Sequence, residues 1–69
     1  MPIQNARDFG QLIRETRKAS QVTQKELAAA CGVGVRFIRE LEKGKPTCEL
    51  EKALLAAAML GLTLNVRRE

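Results

Sequence analysis

Residues 23–43 read TQKELAAACGVGVRFIRELEK. Thr23 followed three positions later by Glu26 is a capping box: the hydroxyl accepts from an unpaired helix N–H, and the carboxylate reaches back to the backbone of the cap. Val22 and Leu27 occupy the positions of a hydrophobic staple around it. The helix so begun ends at Cys31, where Gly32 suits the left-handed conformation that follows a helix C-terminus. A second helix is expected from about Val35 to Lys43, with Ile38 and Leu41 inward and Gly44 as its stop. Ala28 supplies the small side chain where two helices cross closely. Leu27, Cys31, Val33, Ile38 and Leu41 fill the angle between them. Two short helices, a tight glycine turn and a free outer face on the second helix are the requirements of a helix-turn-helix whose second helix enters a DNA major groove.

Outward from this stretch, a first helix is predicted over Ala6–Ala19. Asn5 is its cap, Asp8 sits in the reciprocal position, and Phe9, Leu12, Ile13 and Thr16 form an apolar stripe. Arg14, Arg17 and Lys18 place positive charge in the last turns, as the helix dipole favours, and Ser20-Gln21 breaks the period. A fourth helix is expected from about Cys48 to Leu60, capped by Thr47 or Glu49 and ended by Gly61. It is apolar nearly all round, where a surface helix should carry one stripe. Leu50, Leu54 and Ala57 are assigned to the internal core, while Leu55 and Met59 fall on another face. Beyond it Leu62, Leu64 and Val66 alternate with polar residues, the period of a short strand over Leu62–Arg67. That strand has no partner in its own chain. The expected architecture is therefore all-α: a single domain over residues 1–69, four helices, the helix-turn-helix at 23–43, and a dimerisation segment at 48–67. Its short C-terminal β-strand pairs with a second copy about a two-fold axis. Leu55, Met59, Leu62, Leu64 and Val66 are the expected homodimer interface.

The bulk composition agrees. Twelve Lys and Arg against eight Asp and Glu give a net charge of +4 in 69 residues, which favours a polyanionic partner. With two Phe and no Trp or Tyr, platforms for stacking single-stranded bases are unsupported. Histidine is absent and the two cysteines, Cys31 and Cys48, form no CxxC pair, so neither a metal nor another cofactor is expected. With no acid pair in a plausible pocket and no glycine-rich phosphate loop, an enzyme is not expected either. The N-terminus has no signal-peptide pattern, and the longest apolar run, Ala53–Leu60, is too short to span a bilayer. No membrane association and a cytoplasmic location are expected.

On the recognition helix, Val35, Arg36 and Arg39 are the candidate base readers. Arginine offers a bidentate donor pair to guanine, and Val35 can meet a thymine methyl. Gly34 allows close backbone approach. Thr23, Gln24 and Lys25 open a helix whose N–H groups and dipole suit a DNA phosphate. Lys43 and Lys45 are candidates for phosphate contact, which sets affinity and register and not sequence choice. Glu40 is expected to face away or to pair with a nearby base.

The stretch Ile13–Gly44, with Arg17, Thr23-Gln24, Leu27-Ala28, Gly32-Val33, Ile38 and Glu42-Lys43-Gly44, resembles the Cro/phage-repressor (Xre) family of lambda-repressor-like domains. Gly44-Lys45-Pro46-Thr47, the aliphatic helix after it and Leu60-Gly61-Leu62-Thr63-Leu64-Asn65-Val66 resemble the HipB-type antitoxin branch. The resemblance implies a partly buried ion pair between Arg17 and Glu42, and a role for Gln24 in bridging DNA backbone and recognition helix. It also implies a two-fold dimer on a palindromic double-stranded DNA operator, repression of the protein's own operon, and capture of a HipA-type kinase toxin. The alternatives are a stand-alone regulator of the phage type without a toxin, and a protein-interaction module that has lost DNA binding.

Overall fold

A computed structural model describes residues 3–63. It contains four helices, α1 (Ala6–Ala19), α2 (Gln24–Cys31), α3 (Val35–Glu42) and α4 (Leu50–Met59). At the start of α1 the Asn5 side chain accepts the Asp8 N–H at 2.8 Å. The Asp8 carboxylate takes the N–H of Gln4, one residue earlier than a reciprocal box would use. The box on α2 is complete, with Thr23 and Glu26 each satisfying the other's backbone N–H.

All four helices end in the same way. A left-handed residue (Gln21, Gly32, Gly44 and Gly61 in turn) reverses the chain. The next N–H then closes on a carbonyl five residues back: Val22 to Arg17, Val33 to Ala28, Lys45 to Glu40 and Leu62 to Ala57. This closure satisfies helix-end carbonyls that would otherwise lack partners. At the end of α1 a glutamine holds the strained position, which explains why composition alone marked only a loss of period there.

The core is formed by Ile13 of α1, Leu27, Ala28 and Cys31 of α2, Ile38 and Leu41 of α3, and Ala53, Ala56 and Ala57 of α4. Phe9, Val22, Val33 and Phe37 pack against it, half-buried. α3 lies between α1 and α2, and α4 covers α2. Ala28 is buried in the core, and a further close helix approach lies at Gly10. A Cβ on Gly10 would collide with the backbone carbonyl oxygen of Leu41, and one on Gly44 would stand 2.6 Å from the Cα of Arg7. The start of α1 and the end of α3 thus meet backbone to backbone at two points.

α4 departs from expectation. It begins at Leu50 with Glu49 as a cap that makes no side-chain hydrogen bond. Leu50, at 71% exposure, and Leu54, at 39%, are not in the core; Ala53, Ala56 and Ala57 are. A helix apolar on every side has no moment to select its inner face. Here α2 comes close enough for alanine methyls to fill the contact, which turns the leucines outward. The expected strand also begins differently. Leu62 is not in a strand: its N–H is used in the end of α4, and its side chain packs half-buried on the core. Residues 64–67 of the expected strand, with Leu64 and Val66 of the expected dimer interface, lie outside the described residues. No helix among the described residues is long and apolar enough to cross a membrane.

Candidate nucleic-acid interface

The site is organised by one buried carboxylate. Glu42, at the end of α3, accepts two bonds from Arg17 of α1: Nε at 2.6 Å and Nη2 at 3.1 Å. The side chains of this pair are 10% and 3% exposed. The remaining guanidinium nitrogen, Nη1, donates to the carbonyl of Val22 at 2.9 Å. Gln24, at the first position of α2, donates its Nε2 to Glu42 Oε1 at 3.0 Å. The arrangement joins α1, the α1–α2 turn, α2 and α3. The hydrogen bonds that Arg17 donates to Glu42 raise its pKa against the opposing effect of burial. No buried side-chain polar atom among the described residues lacks a partner, the condition under which a buried ion pair is tolerated. The structural role read for Arg17 and Glu42 is thus matched by geometry, while the bond from Gln24 to the same carboxylate carries no sequence signal of its own.

This bond orients Gln24 with one amide hydrogen turned inward, leaving its carbonyl oxygen and second hydrogen for an external group. At the same helix start, Thr23 has both its N–H and its hydroxyl engaged with Glu26. The hydroxyl is engaged only as an acceptor, so the donors left for a phosphate are the Thr23 O–H and the N–H groups of Gln24 and Lys25, beside the exposed Lys25 side chain. The bonds from Thr23 hold the Glu26 carboxyl below the usual carboxylate range. The box is therefore fully formed at neutral pH, and its contribution is lost only as the pH falls through that lowered value.

α3 buries Ile38, Leu41 and Glu42 and turns Val35, Arg36 and Arg39 outward. The Arg36 side chain is 86% exposed. Lys43, which ends the helix, continues the row: Arg36, Arg39 and Lys43 stand at i, i+3 and i+7 on one face. Glu40 lies on the same side and pairs with Lys45 at 2.9 Å and more loosely with Arg36 at 3.7 Å. Its carboxyl is held below the ordinary range, chiefly by the hydrogen bond from Lys45. Lys45 is therefore engaged, whereas Lys43 makes no ion pair among the described residues. Gly34 precedes α3 with open space where a side chain would stand. It is the N-cap of that helix, a position where glycine is favoured over alanine.

Outside this face, Leu55 and Met59 of α4 are exposed, with Leu54 beside them. Burial raises the pKa of both cysteine thiols, which keeps them protonated and unreactive at neutral pH.

The helix-turn-helix domain family matches residues 8–69. The chain is also similar to a protein of Sinorhizobium fredii named an uncharacterized HTH-type transcriptional regulator, y4mF. The two are 42% identical over 64 residues, covering 93% of this chain and 84% of that protein. With the capped helix pair, its tight turn and its outward arginines in place, the chain belongs to the helix-turn-helix domain family.

Proposed function

We propose that the protein is a sequence-specific transcriptional repressor that binds double-stranded DNA with α3 in the major groove. The observation that carries this reading is the outer face of α3. Arg36 and Arg39 are exposed and directed away from the core, on a helix fixed to the rest of the domain through Glu42. The name of the S. fredii relative supports the same class of function. Arg36 and Arg39 are the readers, with Val35 beside them; the α2 start and Lys43 hold phosphates. In a gel-shift titration, Arg36→Ala is expected to cost about 1–3 kcal/mol of discrimination between operator and random duplex. Unchanged discrimination overturns the assignment of Arg36.

The protein acts as a homodimer on a palindromic operator, with half-sites about one helical turn apart or a multiple of that. Support comes from α4, which exposes Leu54, Leu55 and Met59 on the side away from its buried alanines. Such a surface asks for a cover. Sedimentation at micromolar concentration is expected to give a species of twice the chain mass; a clean 7.6 kDa species sinks the dimer.

As the finer assignment, the protein is the antitoxin of a toxin–antitoxin operon, repressing that operon and neutralising a HipA-type kinase toxin. This rests on the resemblance of residues 44–66 to the HipB-type branch. An adjacent reading frame for a kinase-like toxin, and its co-purification with this chain, test it. Lack of both selects a stand-alone regulator.

A further inference from the structure

A second positive surface lies beside the reading face. Arg7, Arg14 and Lys18 stand at i, i+7 and i+11 on the outer side of α1, and all line one groove closed on its far side by Lys43. The backbone contact between Gly44 and Arg7 brings the end of α3 against the start of this row. All four cations are exposed, and none makes an ion pair among the described residues. Two carboxylates share the groove. Glu42 is already satisfied by Arg17 and Gln24, which leaves Glu15 as the lining carboxylate without an ion pair. Four unpaired cations against one such carboxylate repel one another, and an anion relieves the repulsion.

We propose that this α1 groove binds backbone phosphates of the same DNA strand beyond the bases read by α3. It thereby lengthens the footprint and sets affinity without choosing sequence. The proposal rests on the DNA-binding reading above. Two observations favour DNA over an acidic protein. The lining has no aliphatic or aromatic side chain, whereas protein interfaces depend on buried anchors of that kind. Lys43 also belongs to the groove and to the outward row of α3, so the two surfaces are continuous.

The test measures binding to a random-sequence duplex and to the DNA upstream of the protein's own gene, each across a range of salt. R14Q/K18Q changes two exposed helical positions to a good helix former, and its helicity is checked by circular dichroism. It is expected to flatten the plot of log affinity against log salt by about 2, at roughly 0.9 for each lost phosphate contact. Both duplexes should weaken by the same factor. E15Q is expected to tighten both. K52Q removes one charge on α4, outside the groove, and is expected to flatten the slope by less than R14Q alone. An unchanged slope in R14Q/K18Q, with wild-type binding intact, overturns this inference and leaves DNA binding standing; so does a K52Q effect equal to that of R14Q. Wild-type protein that binds neither duplex overturns both readings.

Discussion

Arg17→Met is expected to cost about 3–5 kcal/mol, the usual loss when one member of a buried ion pair is removed. A chain of 69 residues has a total stability of roughly 3–10 kcal/mol at the ordinary value per residue. The loss is therefore a large part of the total, and the variant should unfold at a much lower urea concentration. The cause is the carboxylate left behind. Glu42 is 3% exposed on its side chain and would keep only the Gln24 amide as a donor. The carbonyl of Val22 loses its side-chain partner as well. The double variant R17M/E42L removes the orphan and should recover most of the stability. Its DNA affinity should stay low, because Gln24 then has nothing to hold its amide in place. Urea unfolding of both variants decides the matter, and a loss below about 1 kcal/mol in Arg17→Met would show that water reaches and solvates Glu42.

Gly10→Ala is expected to destabilise, against the sign that helix propensity gives. Alanine in a helix interior is better than glycine by about 1 kcal/mol. At Gly10, however, the new methyl meets the carbonyl oxygen of Leu41, and backbone cannot swing aside as a side chain could. Overpacking of this kind costs about 1–3 kcal/mol or more. We expect a net loss of about 2 kcal/mol, a fall in Tm of roughly 8–16 °C for a domain of this size. Gly34→Ala is the control, since nothing lies within 4 Å of its added carbon; it should lower the Tm by less, through the poorer N-cap of α3 alone. A Tm raised by Gly10→Ala would mean that α1 and α3 separate freely at this crossing.

The features legible in the sequence are those whose causes lie within a few residues. Thr23 and Glu26 sit three apart, Asn5 precedes the helix it caps, and Gly32 follows the helix it ends. For each, type and spacing define the geometry. The recognition face was legible for the same reason, because eight residues of helix place Arg36 and Arg39 opposite Ile38 and Leu41. Gly10 was not legible. Its partner is the backbone of Leu41, far along the chain, and a glycine in mid-helix has no local signature of close approach. Sequence alone does not separate Leu50 and Leu54 from the inward residues, because α4 offers an apolar residue in every direction; only the proximity of α2 determines which is covered. The groove beside Lys43 has no signature in the sequence, because Arg14 and Lys18 have a sufficient local explanation at a helix C-terminus. Their convergence with Arg7 and Lys43 depends on the crossing of α1 and α3.

The two sides of α3 carry separate duties. Ile38, Leu41 and Glu42, with the Leu41 carbonyl against Gly10, account for its place in the domain. Arg36 and Arg39 are exposed and take no part in the core, while Val35 is only 36% exposed. The two arginine positions are thus free to change while the protein remains folded. On the DNA-binding reading proposed above, the reading element is an exchangeable cartridge: a lineage carrying this scaffold can acquire a new operator by a few substitutions at these positions without disturbing the core.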